Sequence, residues 1–439
     1  MRIAFAADLW SATKDRILAR LEVETCAIAI ARPSHGRLIV HDILHPEPGD
    51  YRDRSGVSAQ LKPEFIFEAV NTARQSASSL VFIHTHPFDP SVPAFSPVDD
   101  AGERRLFDFV SRRLGGRDHG AIVLSRGGLA ARKLGADEAA TVLSVGRKLR
   151  IENGRVSELD DRFDRQVRAF GADGQTAIAA LKIGIVGLGG TGSLTAHQLA
   201  HLGVCDFVLI DFDRVDKTSL NRLVGATRTD VGTKKIEVAR RQILAVDPDA
   251  SVELVEGDIA EDGIARKLLD RDLIFGCTDS HASRAILGQI AYQYLIPVID
   301  MGVSLSVRGG KLSKITGRTQ LLTPGLPCFS CLELLESETI RREMLTPELR
   351  AADPYIDGVH EPQPSVISLN STVSSLAVSM FLGAVTEAPL HATFLRYDGI
   401  KGVVRPMAGT IDPDCYVCSR SNALARGDQW PLPTRLPAS

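Results

Sequence analysis

Residues 181–213, LKIGIVGLGGTGSLTAHQLAHLGVCDFVLIDFD, decide the fold of the larger part of this chain. An apolar run ends at Gly187, glycines follow at Gly189, Gly190 and Gly192, and a second apolar run ends at Asp211. Glycines so placed permit a tight turn and let a phosphate approach backbone N–H groups at a helix N-terminus. A carboxylate closing the second strand is placed to accept from ribose hydroxyls. Further strands are expected at 252–256, 272–276 and 296–300, beside those at 182–187 and 206–211. All are continuous Val/Ile/Leu runs of the kind a parallel sheet buries on both faces.

Such a glycine turn alone suggests a nicotinamide dinucleotide. The flanking residues argue for a triphosphate instead. The stretch DFDRVDKTSLNRLVGATRTDVGTKKIEVARRQI (211–243) carries Asn221, Arg222 and Lys235. That is more cationic character than a dinucleotide requires, and it suits the charge that builds on a departing pyrophosphate. Arg162 and Arg165 precede the first strand, and Asp279 follows the strand at 272–276 with Arg284 five residues on. An aspartate at the carboxyl end of a parallel strand suits Mg²⁺ beside phosphates.

In order, RxxRQ, GxGGxG, DxDxV…NR, GxxK and DxxxxR resemble the MoeB/ThiF/HesA (E1-like) adenylating superfamily over about residues 161–420. The resemblance implies ATP and Mg as cofactors, with Gly187, Gly189, Gly190, Gly192, Asp211, Asn221, Arg222 and Lys235 around the nucleotide. By the same resemblance Asp211 binds ribose, and Arg222 and Lys235 hold the phosphates. Asp279 positions Mg²⁺ and the acyl-adenylate, and Arg165 reaches the partner's site across a homodimer. Ser219 stands where the family has an asparagine, which shortens one polar group near the phosphates. Arg162 and Arg284 read as salt-bridge residues, and Asp213 as a supporting group.

Cys328, Cys331, Cys415 and Cys418 form two CxxC pairs, the donor set of a closed structural zinc. The same superfamily carries a matching knuckle. Neither pair opens a helix in a thioredoxin-like setting, which disfavours a redox role. Cys26, Cys205 and Cys277 read as small core residues, and no cysteine lies between Cys331 and Pro364. That is the region where thioester-forming relatives carry their nucleophile, so an acyl-adenylate without an enzyme thioester is expected, with Cys277 the fallback.

The other informative stretch is SLVFIHTHPFDPSVPAFSPVDD (79–100). A strand ending in His84-Thr85-His86 puts both imidazoles on one face. Two imidazoles and a carboxylate such as Asp99 make a three-ligand zinc site with an open position, where bound zinc draws the pKa of water toward about 7. A general base is then needed, and Glu24 is the candidate, with Glu22 its rival. A bare HxH would more readily end a strand in a polar loop. Here HP, SPxD and an upstream Glu-x-Cys stand together, and they resemble the JAMM (JAB/MPN) metalloprotease signature. That resemblance implies His84, His86 and Asp99 as ligands of a catalytic Zn, Glu24 as acid/base and Ser96 steadying the oxyanion. The spacer between Pro87 and Ser96 is somewhat long for the family, and Ala27 replaces its usual glycine. His41, His45 and His281 read as surface or turn residues.

At 439 residues the chain exceeds one compact core. It is 44% hydrophobic and 24% charged, and its net charge of -3 argues against nucleic acid or an anionic membrane as partner. The start has no basic segment before a long apolar one, so a cytoplasmic location is expected. Residues 362–386 lack charge, but the many Ser, Thr and Asn side chains favour a buried helix over a membrane span.

The expected architecture is α/β throughout. It comprises a JAMM/MPN domain at 1–135, a connecting helix and linker at 136–160, and a Rossmann-like doubly wound domain with a four-cysteine zinc knuckle at 161–439. In the first domain strands are expected at 24–31, 36–43, 80–86 and 121–126, with helices opening at Pro63 and at Ser96-Pro97. The two resemblances imply one substrate, a ubiquitin-like protein with a Gly-terminated tail, cleaved after its terminal glycine by one site and adenylated there by the other. An E2-like protein would then act downstream. A sulfur-carrier protein of molybdopterin, thiamine or cysteine synthesis is the alternative, and a non-catalytic scaffold binding a ubiquitin-like protein is the rival of another class.

Overall fold

The computed structural model describes residues 1–154, 158–346 and 364–435. The chain divides into two compact units. Unit 1 comprises Met1–Arg155 with Gln293–Leu295 and Leu424–Trp430, and unit 2 comprises the remainder.

Unit 1 is built on an eight-stranded mixed sheet. Its strands are β1 (Arg2–Ala6), β2 (Cys26–Ser34), β3 (Arg37–Leu44), β6 (Ser79–Thr85), β7 (Gly120–Ser125), β8 (Gly128–Lys133), β9 (Thr141–Val145) and β10 (Leu149–Ile151). They lie in the order β10-β9-β1-β3-β2-β6-β7-β8. A small hairpin, β4 (Tyr51–Arg54) with β5 (Ala59–Leu61), stands apart from the sheet. Alternation along β2 sorts its side chains into two cores. Ala27, Ala29 and Ala31 pack on the face that holds Trp10 and Ile17 of helix α1 (Ala7–Ile17). Ile28 and Ile30 pack on the opposite face, with Ala69, Val70 and Ala73 of α2 (Pro63–Gln75) and Val110 and Leu114 of α3 (Pro97–Leu114). In β6 the second core receives Leu80 and Phe82, so the strand's period carries His84 to that same face.

The segment expected as a connecting helix and linker instead supplies β9 and β10. β9 pairs in parallel with β1, from Arg2↔Thr141 to Ala6↔Val145. Ala136, Ala139 and Ala140 suggest a helix locally, but Val142, Leu143 and Val145 are fully buried against the sheet. Pairing with a strand more than a hundred residues earlier in the sequence overrides propensity here.

Unit 2 carries a second eight-stranded sheet. β11 (Lys182–Val186), β12 (Asp206–Ile210), β13 (Ser251–Val255), β14 (Leu273–Gly276) and the start of β15 (Val298–Arg308) are parallel. β16 (Lys311–Leu322), β17 (Phe394–Asp398) and β18 (Val403–Pro406) continue it antiparallel. The order is β13-β12-β11-β14-β15-β16-β17-β18. The expected strand at 296–300 is therefore the first part of a longer one that turns back at Gly309-Gly310. The helices are α4 (Asp164–Ala180), α5 (Gly190–Leu202), α6 (Lys235–Val246), the short α7 (Asp262–Ala265), α8 (His281–Gln293), α9 (Ser337–Glu343) and α10 (Ile367–Val385).

The chain runs outward from β11 through β12 to β13, then returns to the other side of β11 as β14. That reversal leaves a crevice at the carboxyl ends of β11 and β14, where open α/β sheets bind ligands. α10 is long and apolar enough to cross a membrane. It packs instead against α5, β15 and β16, with Val373, Ala377 and Phe381 fully buried. Pro362 and Gln363, which open the uncharged stretch, lie outside the described residues.

Candidate functional sites

In unit 2, β11 ends at Val186 and the chain turns at Gly187, whose φ of +87° favours glycine. A Cβ on Gly192 would stand 1.8 Å from the Gly187 carbonyl oxygen, and one on Gly190 would stand 2.2 Å from Nδ2 of Asn370. At Gly189, the N-cap of α5, a Cβ would meet nothing within 4 Å, and no side chain caps this end. The turn is therefore packed on one side and open on the other, with the first N–H groups of α5 unclaimed by side chains. This is the local form of an anion site.

Asp211 follows β12. Its Oδ2 accepts from the backbone N–H of Leu188 at 2.6 Å and its Oδ1 from that of Asp213 at 2.7 Å. It thus ties the glycine turn to the neighbouring strand, and each oxygen keeps a lone pair for a ribose hydroxyl. Burial raises its pKa, partly offset by the charge of Lys235. Lys235, at the start of α6, holds Asp213 at 2.5 Å. Asp213 thus orients that ammonium, as a group supporting the lysine would. The Arg222 side chain passes 3.4 Å from the Cβ position of Gly190 and donates to the Thr218 carbonyl at 2.8 Å and to Asn221 Oδ1 at 3.3 Å. Ser219 is 3% exposed and turned toward Asp216, its Oγ donating at 2.9 Å, so its hydroxyl serves the turn that carries Arg222. Asp279 lies exposed just beyond β14. Arg165 is exposed on α4, and Arg162 pairs with Asp247 at 2.8 Å.

The four CxxC sulfurs come together from segments far apart in sequence. Their Sγ atoms all lie within 4.8 Å of one another, with Cys328–Cys331 at 3.7 Å, Cys328–Cys415 at 3.5 Å and Cys331–Cys418 at 3.4 Å. Four sulfurs each about 2.3 Å from zinc would be separated by roughly 3.8 Å, so the donor set fits that ion. Backbone N–H groups of Cys331 and Asp412 point at Cys328 Sγ and Cys331 Sγ, both at 3.4 Å, which favours thiolates. Cys26 and Cys277 are different, since burial pushes both thiols up to about 12.

In unit 1, His84, His86 and Asp99 offer ligand atoms that also lie within 4.8 Å of one another. Asp99 enters from the first turn of α3. Its Oδ1 is 3.2 Å from His84 Nε2 and its Oδ2 3.4 Å from His86 Nε2. The His84 contact is out of line for a hydrogen bond, so that buried nitrogen is left without one. An orphaned imidazole nitrogen facing a carboxylate and a second imidazole fits a metal cation.

Burial works to raise the Asp99 carboxyl, but His84 and the Ser96 N-cap outweigh it and hold the group well below the usual carboxylate range. Ser96 Oγ accepts from the Asp99 N–H at 3.2 Å while the Ser96 N–H donates to Asp99 Oδ2 at 2.6 Å. This reciprocal cap aims the carboxylate and leaves the hydroxyl proton of Ser96 uncommitted.

Glu24 stands two residues before β2 rather than inside it. It is 8% exposed, with Oε1 3.9 Å from His86 Nε2, whereas Glu22 is exposed. Burial pushes the Glu24 carboxyl up to about 7. The β4–β5 hairpin clamps its backbone: Glu24 N–H donates to Ser55 O at 2.7 Å, and Arg54 Nε donates to Glu24 O at 2.8 Å. Neither clamp is visible in the sequence pattern. His41, expected at the surface, sits on β3, where burial drives its pKa down to about 3. His281 opens α8, its Nδ1 accepting from Glu336 N–H.

The larger unit thus belongs to the Rossmann-like α/β proteins, with a glycine turn at the switch point and a four-cysteine cluster. The ThiF family model matches residues 163–417, more than half of the chain, and the chain belongs to that family. Over 273 residues it is 28% identical to the molybdopterin-synthase adenylyltransferase of Escherichia coli, covering 60% of this chain and 100% of that one. It is 26% identical over 262 residues to the SAMP-activating enzyme E1 of Haloferax volcanii, covering 59% and 88%. Against ubiquitin-like modifier-activating enzyme 5 of Drosophila persimilis it is 27% identical over 180 residues, covering 37% and 45%.

Proposed function

We propose that the chain is an E1-like adenylyltransferase acting on the glycine-terminated tail of a sulfur-carrier or ubiquitin-like protein. We further propose that unit 1 is a zinc hydrolase of the JAMM type acting on the same tail. The observation that carries the first reading is the uncapped start of α5 at Gly189, open to an anion, with Arg222 and the Asp213-held Lys235 nearby. Relatives named for such activation support it, and one that is matched over its full length is named for molybdopterin synthase. Carrier activation therefore stands ahead of a conjugation pathway with an E2-like partner.

In the reaction, a carboxylate oxygen of the terminal glycine attacks the α-phosphorus of ATP. The bond to the bridging oxygen breaks, and pyrophosphate leaves with the electron pair. The α5 N-terminus cradles phosphate, and Arg222 and Lys235 neutralise the charge that grows on the leaving group. Asp211 accepts from ribose, and Asp279 would hold Mg²⁺. Arg165 acts across a homodimer. The high thiol pKa of Cys277 and the metal-suited cluster of the CxxC cysteines favour release of the acyl-adenylate without an enzyme thioester.

In unit 1, zinc held by His84, His86 and Asp99 would polarise the scissile carbonyl and acidify water. Glu24 takes the proton of the attacking water and delivers it to the leaving amine. The free hydroxyl proton of Ser96 steadies the oxyanion.

The test is ATP:pyrophosphate exchange by the full chain with small β-grasp proteins ending in Gly-Gly. Exchange dependent on that tail, with a thiocarboxylate formed when a sulfur donor is added, is the expected result. No exchange with any such protein would sink the adenylation reading.

A further inference from the structure

Asp300 belongs to no motif, yet it is 1% exposed at the heart of unit 2. A buried carboxylate without partners would be costly, and this one has two. Arg284 Nε lies 3.2 Å from its Oδ1 and Arg318 Nη2 lies 2.6 Å from its Oδ2. The remaining donors of Arg284 turn to backbone: Nη2 donates to Thr278 O at 2.9 Å and Nη1 to Asp279 O at 3.2 Å. The β14–β15 register sets Asp300 opposite Gly276, the last residue of β14, so the network sits where the nucleotide loop leaves the sheet. On the other flank the Arg318 guanidinium lies 5.1 Å from the ring centre of Phe329, which fixes the second cation.

We infer that Asp300 is a positioning residue of the nucleotide site: it locks the Arg284 fork, and that fork fixes the carbonyls of Thr278 and Asp279. The Asp279 side chain leaves a backbone that Arg284 staples at two successive carbonyls. A planar guanidinium holds two acceptors in place only while its third side is anchored, and Asp300 is that anchor. The inference rests on the adenylation reading, in which Asp279 meets the magnesium nucleotide.

The test is the gain in ATP affinity that Mg²⁺ confers, measured calorimetrically on the full chain. Asp300→Asn and Arg284→Lys should each cut that gain about tenfold while leaving Mg²⁺-free ATP binding unchanged. On an Asp279→Ala background neither should reduce it further, because both act through Asp279. Asp300→Asn leaves two guanidinium groups facing a neutral amide and endangers the fold. Arg284→Lys keeps the ion pair, gives up the two-carbonyl fork, and carries the test if the first variant does not fold.

An unaltered Mg²⁺ gain in folded Arg284→Lys overturns the inference, as does a full further loss on the Asp279→Ala background. A wild-type chain that binds ATP with Mg²⁺ but shows no exchange overturns the adenylation reading and leaves the positioning role standing. One that binds no ATP overturns both.

Discussion

Gly189 and Gly192 stand three positions apart and carry different constraints. A methyl at Gly192 would collide with the Gly187 carbonyl, whereas one at Gly189 has open space and an ordinary φ of -75°. Gly192→Ala is therefore expected to cost roughly 3 kcal/mol or more of stability, the range of strain and overpacking effects. Gly189→Ala should cost under about 1 kcal/mol yet weaken ATP binding, because its methyl projects where phosphate would approach. Denaturant unfolding and ATP titration of the two variants check this, and equal losses of stability would contradict the packing argument.

His119 supplies the second residue-scale case. It is 1% exposed, its Nδ1 accepts from the Leu80 N–H at 3.0 Å, and burial drives its pKa down to about 4. The unfolded chain, with a histidine pKa near 6.5, binds the proton more readily, so stability is lost as pH falls from about 6.5 to about 4. The loss is on the order of 3 kcal/mol for this residue. Trp10 and Trp430 both belong to unit 1, so their fluorescence follows it. His119→Asn should flatten the pH dependence of that unfolding, and His41 leaves a residual slope. An unaltered slope would remove His119 from the account.

At the scale of elements, α3 shows how a helix end becomes part of a site. Its N-cap Ser96 and the N3 residue Asp99 satisfy each other's backbone N–H groups, and the same carboxylate faces both imidazoles. Ser96→Ala removes the cap, worth about 1 kcal/mol, and frees Asp99 to rotate. The expected outcome is a small fall in thermal stability together with a loss of zinc affinity of about tenfold or more, read by competition with a chelator. A fall in stability with unchanged zinc affinity would reduce Ser96 to a helix cap. The spacing of Ser96 and Asp99 was readable because a capping box is a local pattern. The β4–β5 clamp on Glu24 was not readable, since it joins residues about thirty apart through Glu24 backbone groups, which every residue carries.

At the scale of the molecule, the residues proposed for the two chemistries fall in different units: Glu24, His84, His86 and Asp99 in unit 1, and the glycine turn, Asp211, Lys235 and Asp279 in unit 2. His84→Ala is therefore expected to abolish tail cleavage and leave ATP:pyrophosphate exchange within about twofold, with Lys235→Ala doing the reverse. Paired assays on the two variants decide it, and a single substitution that removes both activities would refute independent sites.

The sequence by itself determined the parts whose meaning is local. These are the buried parallel strands 182–186 and 206–210, the glycine turn between them, the HxH strand end, the capped α3, and the CxxC pairs as metal donors. Strand period, φ preference and ligand chemistry act over a few residues, so they are written in order along the chain. Only the tertiary structure decided that Thr141–Val145 is a strand against β1 and that Asp300 is buried between Arg284 and Arg318, the first of which holds the Asp279 carbonyl. Those outcomes follow from burial and long-range pairing. The free energy of a buried strand or carboxylate depends on neighbours that the fold alone brings within reach.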